Sequence, residues 1–135
     1  MQPIKIDATE TTPGVVLDHT TDTFVIGGES RPENARKFYG PIIEWFDKYN
    51  QFLYWLKNDK GDAYKKDIRI DFRFDYLNST SIKFVYDLLK KIEELKSNAT
   101  SLKINWQYES GDDDMKESGE EYARMLGLDF EIKER

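Results

Sequence analysis

Asp67-Ile-Arg-Ile-Asp-Phe-Arg-Phe-Asp-Tyr-Leu-Asn-Ser-Thr-Ser-Ile-Lys83 carries the chain from its most regular strand pattern into its most regular helix pattern. In the first part Ile68, Ile70, Phe72 and Phe74 alternate with Asp67, Arg69, Asp71, Arg73 and Asp75. That period of two belongs to a strand with one buried and one wet face. Beyond the corner, Ile82, Val85, Leu89 and Ile92, widened by Leu88 and Leu95, fall on one helical arc, and Lys83, Asp87, Lys90 and Glu94 lie opposite. Between the two stand Asn78, Ser79, Thr80 and Ser81, four side chains able to accept a bond from the first-turn N–H groups of a helix. One would suffice for a cap. The first turn also lacks an acidic residue and carries Lys83 instead, so the positive end of the helix dipole is left open to an anion. Three readings follow: an over-provided cap in a polar turn, a site for an external phosphate, or a hydroxyl that is itself phosphorylated.

Working outward, the 135 residues suit one domain with a single core. Hydrophobic residues make up 39% and charged residues 34% of the chain, which argues for a folded, water-soluble protein, and no apolar run approaches a membrane span. A net charge of −6, with twenty basic residues scattered among twenty-six acidic ones, argues against nucleic acid and points to protein partners. The absence of cysteine excludes thiol chemistry. With a polar, mixed start after Met1 in place of a secretory signal, it indicates the cytoplasm.

Upstream of the quoted stretch, Ile4 and Ile6, Val15 to Leu17, and Thr23 to Ile26 read as short strands, with a hairpin that stops at Gly27-Gly28. His19, the one histidine, falls in the turn with no catalytic partner. Ser30 or Arg31 is expected to cap a helix with Pro32 in its first turn, and Pro41 is expected to divide it into segments near 32–39 and 41–57. The longer segment has a core arc of Ile42, Trp45, Phe46, Tyr49, Phe52, Leu53 and Leu56. Ile43, Tyr54 and Trp55 fall outside it, either as a partner-binding surplus or as half-exposed rings. Asn58 to Lys66 reads as a loop.

Downstream, Leu102, Ile104, Trp106 and Tyr108 alternate as a second half-buried strand. The acidic run Glu109 to Asp114 lacks the spaced oxygens of a calcium loop and is read as helix capping, with no metal site. A short helix through Met115, Ser118, Tyr122, Met125 and Leu126 should end on a left-handed Gly127, and Leu128, Phe130 and Ile132 close the chain as a strand. This order predicts an α/β fold: an open-faced sandwich with a mixed sheet of four or five strands and about three helices on one face, joined by right-handed crossovers.

No phosphate-binding loop, nucleophile elbow, zinc-protease or dinucleotide motif is present. No nucleophile, base or ligand set stands out, so a non-enzymatic protein without a cofactor is expected.

Three stretches together resemble the SiaC family of bacterial regulatory phosphoproteins, over nearly the whole chain. They are Gly28-Glu-Ser-Arg-Pro-Glu-Asn34 with Phe38 and Trp45, Tyr76-Leu-Asn-Ser-Thr-Ser-Ile-Lys83, and Ile104-Asn-Trp-Gln-Tyr108. The resemblance implies one domain over residues 1–135, similar to STAS-type anti-sigma-factor antagonists. It further implies a hydroxyl phosphorylated by a dedicated Ser/Thr kinase and cleared by a PP2C-like phosphatase, with the unphosphorylated form binding and activating a diguanylate cyclase. The acceptor follows the asparagine of the Leu-Asn motif, which is Ser79. The family pattern has threonine there, and threonine stands one place later here, so Thr80 is the alternative. Around it, Tyr76, Asn78, Ser81 and Lys83, with Ser30, Pro32, Glu33 and Asn34 of the other motif, are the candidate partner-binding residues. An anti-sigma-factor antagonist or stressosome-like partner switch is the second reading, and a small-molecule module the third.

Overall fold

In the computed structural model, which describes residues 1–135, six strands and three α-helices follow one another. They are β1 (Ile4–Ile6), β2 (Gly14–Asp18), β3 (Thr23–Ser30), α1 (Ala35–Lys60), β4 (Asp67–Leu77), α2 (Ser79–Glu93), β5 (Ser101–Tyr108), α3 (Asp113–Met125) and β6 (Asp129–Glu134). The strands form one sheet in chain order. β1, β2 and β3 are an antiparallel meander, and β3 to β6 run parallel. Parallel neighbours cannot be joined by a tight turn, and each of the three parallel steps is bridged by one helix. The mixed α/β sheet was legible in the sequence; its six strands exceed the expected four or five. The three residues of β1 hold their place through a register of Ile4 opposite Leu17 and Ile6 opposite Val15.

The alternation in β4 has the expected consequence. Ile68, Ile70, Phe72 and Phe74 are buried while Arg69 and Arg73 face water. They join Phe24 and Ile26 of β3, Ile104 and Trp106 of β5, and the inner faces of the helices in one core of 27 buried hydrophobic residues. Trp106 is its largest fully buried side chain. Its indole N–H donates to the Met115 carbonyl at 2.9 Å, which fixes the start of α3 against β5.

Five local expectations are corrected. Pro41 does not divide the first helix: α1 runs unbroken from Ala35 to Lys60 and includes it. The carbonyl that its missing N–H leaves unpaired, that of Lys37, belongs to an exposed residue that water can serve, while Ile42, Trp45, Phe46 and Tyr49 are locked in the core. Asn34 caps this helix, accepting the Lys37 N–H at 3.0 Å; Ser30 lies in β3. β3 does not stop at Gly27-Gly28, because Gly28 takes a φ of +107° and the ladder passes a register shift there on its way to Ser30. Gly127 has no left-handed backbone, and α3 ends at Leu126 in an extended conformation. The acidic run behaves as a cap: Asp112 accepts the Met115 N–H at 3.0 Å. Asn58–Lys60 extend α1, and a short 3-10 turn follows at Gly61–Ala63.

Gly119 lies where α3 crosses Trp106. A Cβ there would come within 2.6 Å of the indole Nε1, against a ring that has no room to retreat. Gly119→Ala should therefore destabilise the protein despite alanine's better helix propensity, by about 1–3 kcal/mol, as overpacking of a filled core does. A urea midpoint equal to or above that of the parent would contradict this.

Candidate functional site: the hydroxyl corner at the start of α2

β3 and β4 are parallel neighbours, so their C-terminal ends lie side by side, with Glu29 opposite Tyr76 and Ser30 opposite Leu77. The register brings the two motif stretches of the sequence together. The Ser30 carbonyl accepts the backbone N–H of Asn78 at 3.0 Å and the Ser81 hydroxyl at 3.0 Å. The Ser30 hydroxyl in turn bonds the Ser81 hydroxyl at 2.8 Å and the Tyr39 hydroxyl at 2.5 Å. Ser30, Tyr39 and Ser81 are completely buried, so these bonds replace water that none of the three can reach. Asn78 completes the turn as the cap of α2, accepting the Ser81 N–H at 2.8 Å, and the Ile82 N–H bonds the Asn78 carbonyl at 3.0 Å.

Of the four polar side chains at the corner, Asn78 and Ser81 are consumed by the fold. Ser79 and Thr80 are exposed, their side chains make no hydrogen bond, and their backbone N–H groups are the two unpaired donors at the helix start. No acidic residue occupies the first turn of α2, nor that of α1 beside it. Lys83 is less available than the sequence suggested: its ammonium lies 3.6 Å from Asp87 and 4.8 Å from the centre of the Phe84 ring. Arg36 of α1 approaches the same ring, at 5.8 Å.

The other candidate residues divide by position. Tyr76 is 47% exposed at the end of β4. Asn34 caps α1, Glu33 is exposed and Pro32 half-buried, and no hydrogen bond or ion pair joins Pro32 or Glu33 to the corner. Ser30 and Ser81 act from the interior, beneath the surface they were expected to present. Three participants were not legible. Tyr39 reaches the corner from α1, Phe84 stacks on Tyr39 with ring centres 6.2 Å apart, and Tyr122 donates its hydroxyl to the Ile82 carbonyl at 2.6 Å. Phe84 takes the buried place expected for Ile82, which is 43% exposed. No group of three or more acidic or histidine side chains is arranged to hold a metal.

The fold and the corner define a class: a small α/β module that presents two free hydroxyls on a helix start pinned from the interior. The chain belongs to the SiaC family of regulatory phosphoproteins, whose family model matches residues 6–135. An uncharacterised protein of Pseudomonas aeruginosa (strain UCBPP-PA14) is 26% identical over 133 residues, 98% of this chain and 97% of its own. Among solved structures, SiaC of Pseudomonas aeruginosa matches over 100% of both chains at 24% identity with a TM-score of 0.78. The structure of the diguanylate cyclase SiaD in complex with its activator SiaC, from the same organism, matches at 25% identity with a TM-score of 0.79. That match covers 98% of this chain and 99% of the other.

Burial pushes the Tyr39 phenol up to about 12, against the opposing pull of the neighbouring Ser30 and Ser81 hydroxyls; burial raises Tyr49 and Tyr122 as well. A phenol that ionises later in the folded than in the unfolded chain supports the fold below its unfolded pKa of about 10, and that support is lost as pH rises through the folded value. Stability should fall between pH ~10 and ~12, by up to about 1.4 kcal/mol per pH unit for each such tyrosine, and Tyr39→Phe should flatten the slope. Urea midpoints measured across that range check it; an unchanged slope in Tyr39→Phe would contradict it. Ser81→Ala, which leaves the Ser30 carbonyl and hydroxyl short of partners, should cost about 1–3 kcal/mol at neutral pH.

Proposed function

We propose that this protein is a non-enzymatic signalling switch whose unphosphorylated form binds and activates a diguanylate cyclase. In this reading a Ser/Thr kinase phosphorylates Ser79, with Thr80 as the alternative, and a PP2C-like phosphatase reverses it in the cytoplasm. The observation that carries the proposal is the exposed Ser79–Thr80 pair on unpaired helix N–H groups, in a chain similar to an activator solved together with its cyclase. Ser79 is the first residue of α2 and Thr80 the second, where the helix dipole favours negative charge.

Phosphorylation there adds about 1.5 to 2 negative charges and three acceptor oxygens next to free donors, so it should leave the fold intact. The partner carries the consequence. A surface packed over Tyr76, Asn78 and the two hydroxyls would have to strip water from the phosphate, and an unpaired charge in an interface costs several kcal/mol, roughly a thousandfold in affinity. The buried bonds of Ser30 and Ser81 hold the corner still, so the added charge cannot retreat inward.

Phosphorylation with the cognate kinase followed by peptide mapping should find phosphate on Ser79 or Thr80, and calorimetric titration should show cyclase binding lost in the modified protein. Ser79→Ala should bind and resist switching at that position. Ser79→Asp should weaken binding less than phosphate does, since it brings one charge and fewer acceptors. Phosphate confined to residues outside Asn78 to Ser81, or modified protein that binds the cyclase as tightly as before, would refute the proposal.

A further inference from the structure

The core leaves two large apolar side chains facing water beside the corner: Ile82 on α2, 43% exposed, and Met125 on α3, 50% exposed. They belong to a groove of about 810 Å³ between the two helices, with Tyr86 also along it. The bond from the Tyr122 hydroxyl to the Ile82 carbonyl ties the two walls together at this level, so the groove is built into the fold.

Its walls differ in charge. All four acidic lining residues, Asp114, Glu117, Glu120 and Glu121, come from α3. Arg124 pairs with Glu121, and none of the other three has a cation within ion-pair distance. The α2 wall offers Ile82, Tyr86 and a Lys83 already held by Asp87. One wall therefore calls for cations and the other for apolar side chains.

We infer that this groove receives an amphipathic helix of the protein partner, with Lys or Arg along the edge that faces α3 and uncharged apolar residues along the edge that faces α2. The inference rests on the switch reading above and names the chemistry of its partner. A helix is the occupant because both walls are helices with their backbone bonds already made, so an incoming segment must satisfy its own. From Asp114 to Met125 the α3 wall rises about 16 Å, room for three helical turns. Ser79 and Ile82 are three residues apart and so are neighbours on the surface of α2. A phosphate on Ser79 stands at the end of the apolar wall, on the side where the partner brings no cation, and the acidic wall opposite repels it further.

The test titrates a fluorescent synthetic helix of about 20 residues, leucines along one face and lysines along one flank, into the full-length protein, beside a twin with glutamates in place of the lysines. The lysine helix should bind saturably, and the glutamate twin at least about tenfold more weakly. Ile82→Glu and Met125→Glu, both at exposed positions, should each weaken the lysine helix about tenfold or more. Glu117→Lys combined with Glu120→Lys should do the same and reduce the dependence on salt. Melting curves confirm that the variants are folded. Replacing the exposed Tyr54 and Trp55 by alanine should change nothing. Absence of saturable binding, equal binding of the twins, indifference to Ile82→Glu, or loss in the Tyr54/Trp55 variant would overturn the inference. A parallel titration with the host's diguanylate cyclase separates the two claims. Cyclase bound equally by the parent and by Ile82→Glu overturns the groove and leaves the switch. Cyclase bound by neither, with the peptide pattern as expected, overturns the switch reading and leaves the groove.

Discussion

One carbonyl, that of Ser30, holds the working end of this molecule together. It accepts a backbone N–H from Asn78 and a hydroxyl from Ser81, while the hydroxyl of the same serine bridges Ser81 and Tyr39. Through these bonds the end of β3, the turn after β4, the first turn of α2 and the second turn of α1 share one rigid point. Polar groups this deeply buried are costly unless every bond is made, and once made they admit one arrangement. The start of α2 is thereby set before any partner or phosphate arrives.

The corner therefore separates two kinds of hydroxyl that look alike in the sequence. Ser81 faces inward and is spent on structure. Ser79 and Thr80 face outward and make no side-chain hydrogen bond, and they stand over the two N–H groups that the helix cannot satisfy for itself. Chemistry at the outer pair can change the surface without disturbing the inner one. The groove between α2 and α3 continues that surface, since Ile82 follows within one turn of Ser79 and its carbonyl is fixed by Tyr122. Hydroxyls, apolar wall and acidic wall thus form one continuous face built on a pinned helix.

The local periodicities were legible. The alternation from Asp67 to Asp75 predicted β4 with its buried face, the alternation from Leu102 predicted β5, and the Asn78 corner predicted the strand-to-helix turn, because each depends on neighbours two to four residues apart. Local punctuation misled where packing outweighed it. Pro41 is a strong breaker alone, yet α1 runs through it because its lost bond faces water and its neighbours are buried. Phe84 displaced Ile82 from the core because its ring found Tyr39, a partner 45 positions earlier in the chain, which no periodicity announces.

What the sequence determined by itself is the set of faces: which residues alternate, which corner carries hydroxyls, and, through motif resemblance, the family to which the chain belongs. What only the tertiary structure decided is how those faces are spent. Parallel pairing of β3 with β4 set Ser30 against Ser81, 51 residues away, and turned one corner serine inward while leaving two outside. The packing of α3 beside α2 assembled an acidic wall and an apolar wall from segments that show neither property as a pair. Burial and bond satisfaction are settled between residues distant in sequence, and so they appear only when the chain has closed on itself.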